Sequence, residues 1–389
     1  MGAHVGPDER QGRGIDLRPL RPDENSLVPP LWNRAWTAAV TPAASAPTAM
    51  AQANRNPYPL SDALWRERLA SRHHDQSLLF GAFDGDDLVG AAYAKVAASH
   101  WQSGDIGWLA LLCVEPSRQG AGIGTRLAGA AVQALAARGC THMHLGSEAD
   151  HLLPGLPQEA GVPAWRLARS LGGVPSNAEH DLLLDLRAPL PSAPLPPGYR
   201  LSDDSREAGL AFVRATFPGR WAEEVRDYIA AGATIITLQR TAPSVAGETA
   251  QADAAASRPL PAVGFCAVFT GDERATSPGL LWSEALTADL PSGARLAGIG
   301  PLGVAPDVRG AGAGLALVRG AATWLQERGH TDAVINWTTL TGFYGRLGAR
   351  VWRTYQRVQA NLTPPDDQTA TDGSDRDSDA AARTRERPA

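Results

Sequence analysis

Two segments of the chain repeat each other at a spacing of 190 residues, and this repeat limits the possible folds more than any other feature. Cys113 to Gly146 aligns without a gap on Gly303 to Asn336, and 12 of the 34 positions are identical. In both copies a Val-x-Pro triplet precedes three glycines, and an Arg-Gly pair follows the next apolar stretch. Because self-similarity at a fixed spacing is the signature of a repeated structural unit, the sequence predicts two similar domains in tandem.

Changes in composition divide the chain into five parts. A Pro-rich run at 187–198 predicts a stiff linker. The polar ends, 1–14 and 363–389, have too few large apolar groups to build a core and are predicted to be disordered. Between them lie the two repeats, which we name the N-terminal half (15–186) and the C-terminal half (199–362).

Each half shows the same predicted order of elements: a hairpin, a third strand, a glycine turn, an amphipathic helix and a final strand. The predicted strands are Ser77–Phe83, Leu88–Val96, Ile106–Val114 and His142–Gly146, then Thr234–Gln239, Ala262–Phe269, Leu296–Val304 and Ala333–Trp337. Arg240 to Pro261 is predicted as a mobile hairpin loop. Gly139 and Gly329 stand where a helix C-cap belongs.

Composition argues against several classes of protein. The net charge is -5 and no basic block is present, so nucleic acid is not expected as a partner. No apolar run reaches the roughly 18 residues of a membrane span, and the N-terminus lacks a secretory signal, so we expect a cytoplasmic protein without a membrane partner. Cys113, Cys140 and Cys266 are too scattered for disulfides or zinc. His142 and His144 alternate on one strand without further ligands at a fixed spacing, so no metal is expected.

The glycine turns are typical of an anion-binding site. They run from Gln119 to Gly124 and from Arg309 to Gly314, each between a strand and a helix. Glycine permits positive φ and a close approach of ligand to main chain, and the free N–H groups at a helix start favour a pyrophosphate. No Gly-Lys-Ser/Thr follows as in a P-loop, and antiparallel hairpins argue against a Rossmann fold. A turn that only packs the helix on the strand is the alternative.

The pattern Val-x-Pro-x-x-[Gln/Arg]-x-x-Gly-x-Gly before a helix resembles the acetyl-CoA-binding motif of the GNAT superfamily of N-acetyltransferases. It occurs at Val114–Gly124 and at Val304–Gly314, and Phe343–Ala349 resembles the family's later Tyr-x-x-x-Gly motif. The two-domain layout is similar to that of mycothiol synthase. The resemblance implies an α+β (mixed α/β) fold of two tandem GNAT-like domains, each a mostly antiparallel mixed sheet flanked by helices.

The resemblance also implies roles for individual residues. Main-chain groups around Val304 and Val114 would pair with the pantetheine arm of acetyl-CoA. The pyrophosphate would be held in the C-terminal half by Arg309, Gly310, Ala311, Gly312, Ala313 and Gly314, and in the N-terminal half by Gln119, Gly120, Ala121, Gly122, Ile123 and Gly124. Tyr344 would protonate the departing thiolate; a core tyrosine beside Phe343 is the alternative.

The two halves differ where the acid is expected. Aligning Leu171–Gly173 with Leu347–Ala349 puts Ala168 opposite Tyr344, so the N-terminal half lacks the acid and is predicted to be a structural or binding repeat. The same alignment needs an insert of about fourteen residues, which includes Glu148 to Pro157. Its polar residues Glu148, Asp150 and His151 are interpreted as a solvated loop, with an acid or base of a different site as the alternative.

No general base is assigned. The strand Leu296–Val304, which offers a base in many GNAT proteins, contains no Asp or Glu. Glu284, Asp289, a water chain or ionisation of the substrate itself remain open. Trp337 stands where the family often carries Asn. In the family, the helices of this region wall the acceptor cleft. The aromatic residues of these helices are expected either to line that cleft or to belong to the core: Trp32, Trp36, Trp65, Trp221 and Tyr228.

Together these features predict an enzyme that transfers an acetyl group from acetyl-CoA to the amine of a small molecule, with the C-terminal half catalytic. The alternative is a non-catalytic acetyl-CoA-binding or interaction protein with a decayed active site. Trp337 and the missing base favour that alternative, whereas Tyr344 and the intact second glycine turn favour the enzyme.

Overall fold

The computed structural model describes residues 14–39, 56–96, 105–148, 150–241, 260–271, 278–282, 285, 287 and 290–362. The predicted disordered tail, nearly all of the predicted N-terminal tail and most of the predicted hairpin loop at 240–261 lie outside these residues. Glu284 and Asp289, two of the bases considered, also lie outside them.

The predicted strands are confirmed to within two residues. The N-terminal half contains β1 Asp16–Pro19, α1 Val28–Ala39, α2 Asp62–Ala70, β2 Leu79–Asp84, β3 Asp87–Val96, β4 Ile106–Val114, α3 Ile123–Ala136, β5 His142–Leu145, β6 Leu156–Pro157, α4 Gly161–Ser170 and β7 Val174–Asp185. The C-terminal half contains β8 Tyr199–Ser202, α5 Arg206–Thr216, α6 Arg220–Ala230, β9 Thr234–Arg240, β10 Ala262–Phe269, β11 Leu296–Val304, α7 Ala313–Glu327, β12 Asp332–Thr338, α8 Thr341–Gly345 and β13 Arg350–Asn361. Gly139 and Gly329 take positive φ after α3 and α7, as predicted for C-caps.

The thirteen strands of the described residues form one mixed sheet. Its order is β1-β2-β3-β4-β5-β13-β7-β12-β11-β10-β9-β8, with β6 pairing to the side of β13. Each half is antiparallel except for one parallel pair, β4 with β5 and β11 with β12. The predicted fold class is therefore correct: a mostly antiparallel mixed sheet with flanking helices, present twice.

The two halves exchange their last strands. The prediction that β5 and β12 are the final strands of the two halves was wrong, because a twelve-residue strand follows each of them within its half. Strand β7 of the N-terminal half pairs with β12, and β13 of the C-terminal half pairs with β5. Since β7 and β13 also pair with each other, the exchange joins the halves through main-chain hydrogen bonds at the centre of the sheet.

Helices cover both faces of the sheet. Alternate residues of β3 divide between two cores, with Tyr93 in the core under α1 and α2 and Ala92 in the core under α3. The C-terminal half repeats this division with α5 and α6 on one face and α7 on the other. Arg72, just after α2, forms an ion pair with Glu223 of α6 at 3.1 Å. The helices α1, α2, α5 and α6 therefore lie on one side of the sheet, which we call the shared face.

Candidate functional site

The two glycine turns have the same backbone. Gly120 and Gly122 both have φ of +80°, and Gly310 and Gly312 have +82° and +83°. A Cβ built on any of these four glycines meets no atom within 4 Å. The protein's own packing therefore does not demand glycine there, whereas the positive φ favours it. A ligand at this open space would face the first N–H groups of α3 or α7, as an anion site requires.

A gap opens in the sheet beside each turn. Strands β4 and β5 pair from Ile106 to Leu109, with a last hydrogen bond from the N–H of Gly146 to the carbonyl of Leu109 at 3.0 Å, but β4 continues to Val114. Strands β11 and β12 likewise pair only from Leu296 to Ile299, and β11 continues to Val304. Each gap therefore leaves one strand edge without a strand partner, where an extended ligand arm could add as a further strand.

Main-chain groups face into these gaps. The N–H of Ala305 donates to Val263 on the β10 side at 2.8 Å. Because successive residues of a strand direct their main-chain groups to opposite sides, those of Val304 point into the gap. The Nε of Arg309 lies 3.4 Å from the Val304 carbonyl, and the Nε2 of Gln119 lies 3.1 Å from the Val114 carbonyl. In both halves the structure thus brings together the strand end and the turn that were predicted to bind acetyl-CoA.

Tyr344 lies on the α7 side of the C-terminal sheet. Only 6% of the residue is exposed, and it belongs to the same core as Cys266 and Ala313. Its ring meets that of Phe343 nearly at right angles, with 4.9 Å between centroids. Burial raises the pKa of the phenol, so the hydroxyl carries its proton at neutral pH. The neighbouring Phe343 lies 3.7 Å from the Cβ position of Gly314, so this part of α8 lies close to the C-terminal glycine turn.

Ala168 takes the position of Tyr344 in the N-terminal half. The N–H of Ala349 donates to the Tyr344 carbonyl at 3.3 Å, and the N–H of Gly173 donates to the Ala168 carbonyl at 2.9 Å. In both cases a glycine of positive φ precedes the donor, Gly348 or Gly172. The two helix ends are therefore built alike, and the N-terminal half places a methyl group where the C-terminal half places a phenol.

The insert of the N-terminal half is buried, so its interpretation as a solvated loop was wrong. Leu152 and Leu153 belong to the core of the shared face. The N–H of Ser147 donates to the Leu153 carbonyl at 2.6 Å, which folds the insert back over the end of β5. Trp282 of the C-terminal half donates its indole N–H to the Leu152 carbonyl at 3.0 Å. The insert and the other half together fill the shared-face side of the N-terminal gap.

The polar residues of the insert are paired inside the protein. Lys95, the only lysine of the chain, is fully buried, and its Nζ lies 2.5 Å from Asp150 and 3.9 Å from Glu148. Burial alone would raise the pKa of Asp150, but the Lys95 ammonium lowers it. Arg220 of α6 donates to the carbonyls of Ser147 and Glu148 at 3.0 and 3.1 Å. Lys95 and Arg220 were not predicted as partners of the insert, because both are distant from it in the sequence.

The aromatic residues divide between the core and the surface. Trp32, Trp36, Trp65 and Tyr228 are core residues, whereas Trp221 is 37% exposed. Trp221 packs on Phe217, whose ring lies 2.6 Å from the Cβ position of Gly303 near the end of β11. An exposed aromatic surface therefore adjoins the C-terminal gap on the shared face, the side that is filled in the N-terminal half.

Neither a metal cluster nor a membrane-spanning helix is found among the described residues. They contain no cluster of three or more His, Cys, Asp or Glu side chains that could hold a metal ion. Within the same residues, every helix is too short or too polar to span a membrane.

The sequence matches one known family. The model described as the Acetyltransferase (GNAT) family matches residues 44–153, little more than a quarter of the chain and wholly within the N-terminal half. Among curated proteins no match is found.

Solved structures match both halves together. The GCN5-related glucosamine N-acetyltransferase region of a fungal multi-domain GH3 beta-N-acetylglucosaminidase has a TM-score of 0.66 at 22% identity, covering 92% of this chain and 39% of that one. The chain therefore spans about two fifths of that protein. A GCN5-related N-acetyltransferase from Sphaerobacter thermophilus has a TM-score of 0.57 at 15% identity, covering 94% of this chain and 99% of the other. A tandem GNAT protein from the clavulanic acid biosynthesis pathway has a TM-score of 0.56 at 17% identity, covering 91% and 100%. At these identities the likeness shows a shared fold.

Proposed function

From the premise that the chain contains a GNAT acetyltransferase domain within a tandem GNAT fold, we propose that it transfers an acetyl group from acetyl-CoA to the amine of a small molecule. The C-terminal half is the catalytic half in this proposal. One observation carries it: among the described residues, the C-terminal half combines the glycine turn and the gap with the protonated phenol of Tyr344, where the N-terminal half has Ala168. The cytoplasmic location expected from the sequence remains part of the proposal.

The residues of the C-terminal half supply the chemistry that acetyl transfer needs. Main-chain N–H groups of Leu302 and Val304 face the gap and are suited to bind the pantetheine arm and to polarise the thioester carbonyl. The N–H groups of Gly310 to Gly314 and the guanidinium of Arg309 hold the pyrophosphate. Tyr344 donates its hydroxyl proton to the departing thiolate. The amine approaches from the side of the partly exposed Trp221.

The N-terminal half is proposed to bind acetyl-CoA without turning it over. Its glycine turn and gap match those of the C-terminal half, but Ala168 offers no proton and the insert fills the side from which an amine would approach. The amino sugar named for the fungal structure makes glucosamine a reasonable first member of an amine panel, together with aminoglycosides, polyamines and amino acids.

Substituting one glycine in each turn tests how many sites bind acetyl-CoA. Calorimetry of the wild type should give a stoichiometry of two. Gly122→Glu and Gly312→Glu should each lower it to one, because the carboxylate repels the phosphates and the side chain occupies the open space above the turn. Gly122→Ala and Gly312→Ala are the matched controls, since they add the same backbone strain, about 1–2 kcal/mol, without the charge. A wild-type stoichiometry of zero would overturn the proposal, and a stoichiometry of one would assign the unaffected half a structural role.

A further inference from the structure

His151 of the N-terminal half lies against the end of β12 in the C-terminal half. Its ring centroid is 4.6 Å from that of Trp337, with the rings steeply inclined. Trp337 follows Ile335, the last residue of β12 that pairs with β11, so it lies at the mouth of the C-terminal gap. The neighbouring Asn336 reaches to 4.0 Å from the Cβ position of Gly300 on β11. An imidazole carried by one half therefore lies beside the gap of the other.

The backbone at this contact is unusual. His151 has a φ of +59° and Trp337 a φ of +52°, and both carry full side chains in the left-handed region. Such conformations cost free energy and persist where the surroundings hold them. Here Asp181 of β7 accepts the Trp337 N–H at 3.2 Å, and the Tyr355 hydroxyl in turn donates to Asp181 at 2.9 Å. The position of the indole under His151 is thus fixed by both exchanged strands.

Helix α6 fixes the orientation of the imidazole. The Nε2 of His151 lies 3.2 Å from Glu224 Oε1 and 3.2 Å from the Tyr228 hydroxyl, and Nδ1 lies 3.5 Å from Arg220 Nη2. A guanidinium only donates hydrogen bonds, so Nδ1 carries the lone pair and the Nε2 hydrogen goes to Glu224. Burial alone would raise the pKa of Glu224, but Arg220 and His151 lower it to about 2. An ionised carboxylate therefore orients the imidazole, as in a general-base dyad.

We infer that His151 is the general base of the C-terminal half, so that the catalytic site is built from both halves. The inference rests on the proposed function. The amine lone pair attacks the thioester carbonyl carbon, and the nitrogen then gives a proton to Nδ1 of His151. The C–S bond breaks, its electron pair goes to sulfur, and Tyr344 protonates the thiolate. Both residues regain their starting state by proton exchange with water. The Arg220 guanidinium lies 3.5 Å from Nδ1 of His151, at the outer limit of a hydrogen bond. The amine therefore has only a weak donor to displace from Nδ1.

The charges around His151 come from several elements. Helix α6 contributes Arg220, Glu224 and Tyr228, and the insert itself contributes Glu148. Arg220 also lies within electrostatic range of two groups on neighbouring strands, His144 and Glu179, and Arg357 of β13 lies within range of both. Asp181 faces Trp337 from β7. Because a base must be unprotonated to act, kcat/KM should fall at acid pH.

Two variants of His151 test the inference, and both residue types tolerate positive φ. His151→Asn keeps a polar side chain without a base and should lower kcat/KM by about 10² to 10⁴ at pH 7.5, and the acid limb of the pH profile should disappear. His151→Gly opens space, and added imidazole should restore at least a tenth of the lost rate. Glu224→Gln should lower kcat while leaving KM for acetyl-CoA unchanged. His142→Asn, at the start of β5, is the control and should behave as wild type.

The outcomes separate the two proposals. If the wild type binds and turns over acetyl-CoA but His151→Asn keeps its rate within threefold, the base assignment is wrong and the proposed function stands. A slow His151→Gly that imidazole does not rescue, with an unchanged acid limb in His151→Asn, also rejects the base and leaves His151 a structural residue. A wild type that neither binds nor turns over acetyl-CoA overturns the proposed function and the inference with it.

Discussion

Tyr344→Phe should lower kcat about 10² to 10⁴-fold and leave the Kd for acetyl-CoA unchanged. The substitution removes one hydroxyl, and the proton for the departing thiolate comes from that hydroxyl. Burial raises the pKa of Tyr344, so the hydroxyl stays protonated at neutral pH and keeps a proton to donate. Within the described part of the chain the hydroxyl has no hydrogen-bond partner to lose, and we expect the melting temperature to change little. Steady-state kinetics and calorimetry on the same preparations measure both quantities.

A control separates the role of this hydroxyl from general effects of losing a phenol. Tyr199→Phe, on β8 at the edge of the sheet, should leave kcat unchanged. Ala168→Tyr should not make the N-terminal half active, because the insert still fills the side from which an amine would approach. If chemistry is rate-limiting and Tyr344→Phe retains kcat within twofold, Tyr344 is not the acid.

Lys95→Met should lower the free energy of unfolding by about 3–5 kcal/mol. The substitution keeps the aliphatic stem but leaves Asp150 buried without the ammonium 2.5 Å away. Leaving a buried carboxylate unpaired costs more free energy than forming the ion pair gains. Adding Asp150→Asn to Lys95→Met should therefore recover part of the lost free energy of unfolding. Urea denaturation of the two single variants and the double variant measures this coupling.

An exposed ion pair provides the matched control. Arg240 and Asp307 are as close, at 2.6 Å, but more than half of each side chain is exposed. Arg240→Met should therefore leave stability nearly unchanged. The Lys95 pair should also respond to pH: because it lowers the pKa of Asp150, its contribution is present above the unfolded value near ~4 and is lost as the pH falls further. Equal stability of Lys95→Met and wild type would show that the pair does not hold the insert.

The sequence predicted the repeated core of each half because local signals carry it. Alternating apolar residues mark β4 and β11, and the glycines between strand and helix leave few conformations for the turn. The exchange of β7 and β13 has no such local signal. Val174–Asp185 begins with mostly exposed polar residues and ends with Leu182 to Leu184, and neither feature says which half supplies the partner strand.

The buried insert escaped prediction for a related reason. Glu148, Asp150 and His151 form a polar run, and such runs are usually solvated. Their partners are far away in the sequence: Lys95 precedes Asp150 by 55 residues, and Glu224 follows His151 by more than 70. One signal was available, because Lys95 is the single lysine among 36 basic residues. A cation kept as lysine where arginine is otherwise used throughout is a candidate for a buried site that has no room for a guanidinium.

The most direct test of the account measures amine-dependent release of free CoA thiol from acetyl-CoA across the amine panel, in the wild type, Gly122→Glu and Gly312→Glu, with the two Gly→Ala variants as controls. The wild type should release thiol only when an acceptor amine is present. Gly122→Glu should retain this activity and Gly312→Glu should lose it. Thiol release that survives Gly312→Glu and is lost in Gly122→Glu would contradict the account, and so would a wild type that binds acetyl-CoA but transfers its acetyl group to none of the amines.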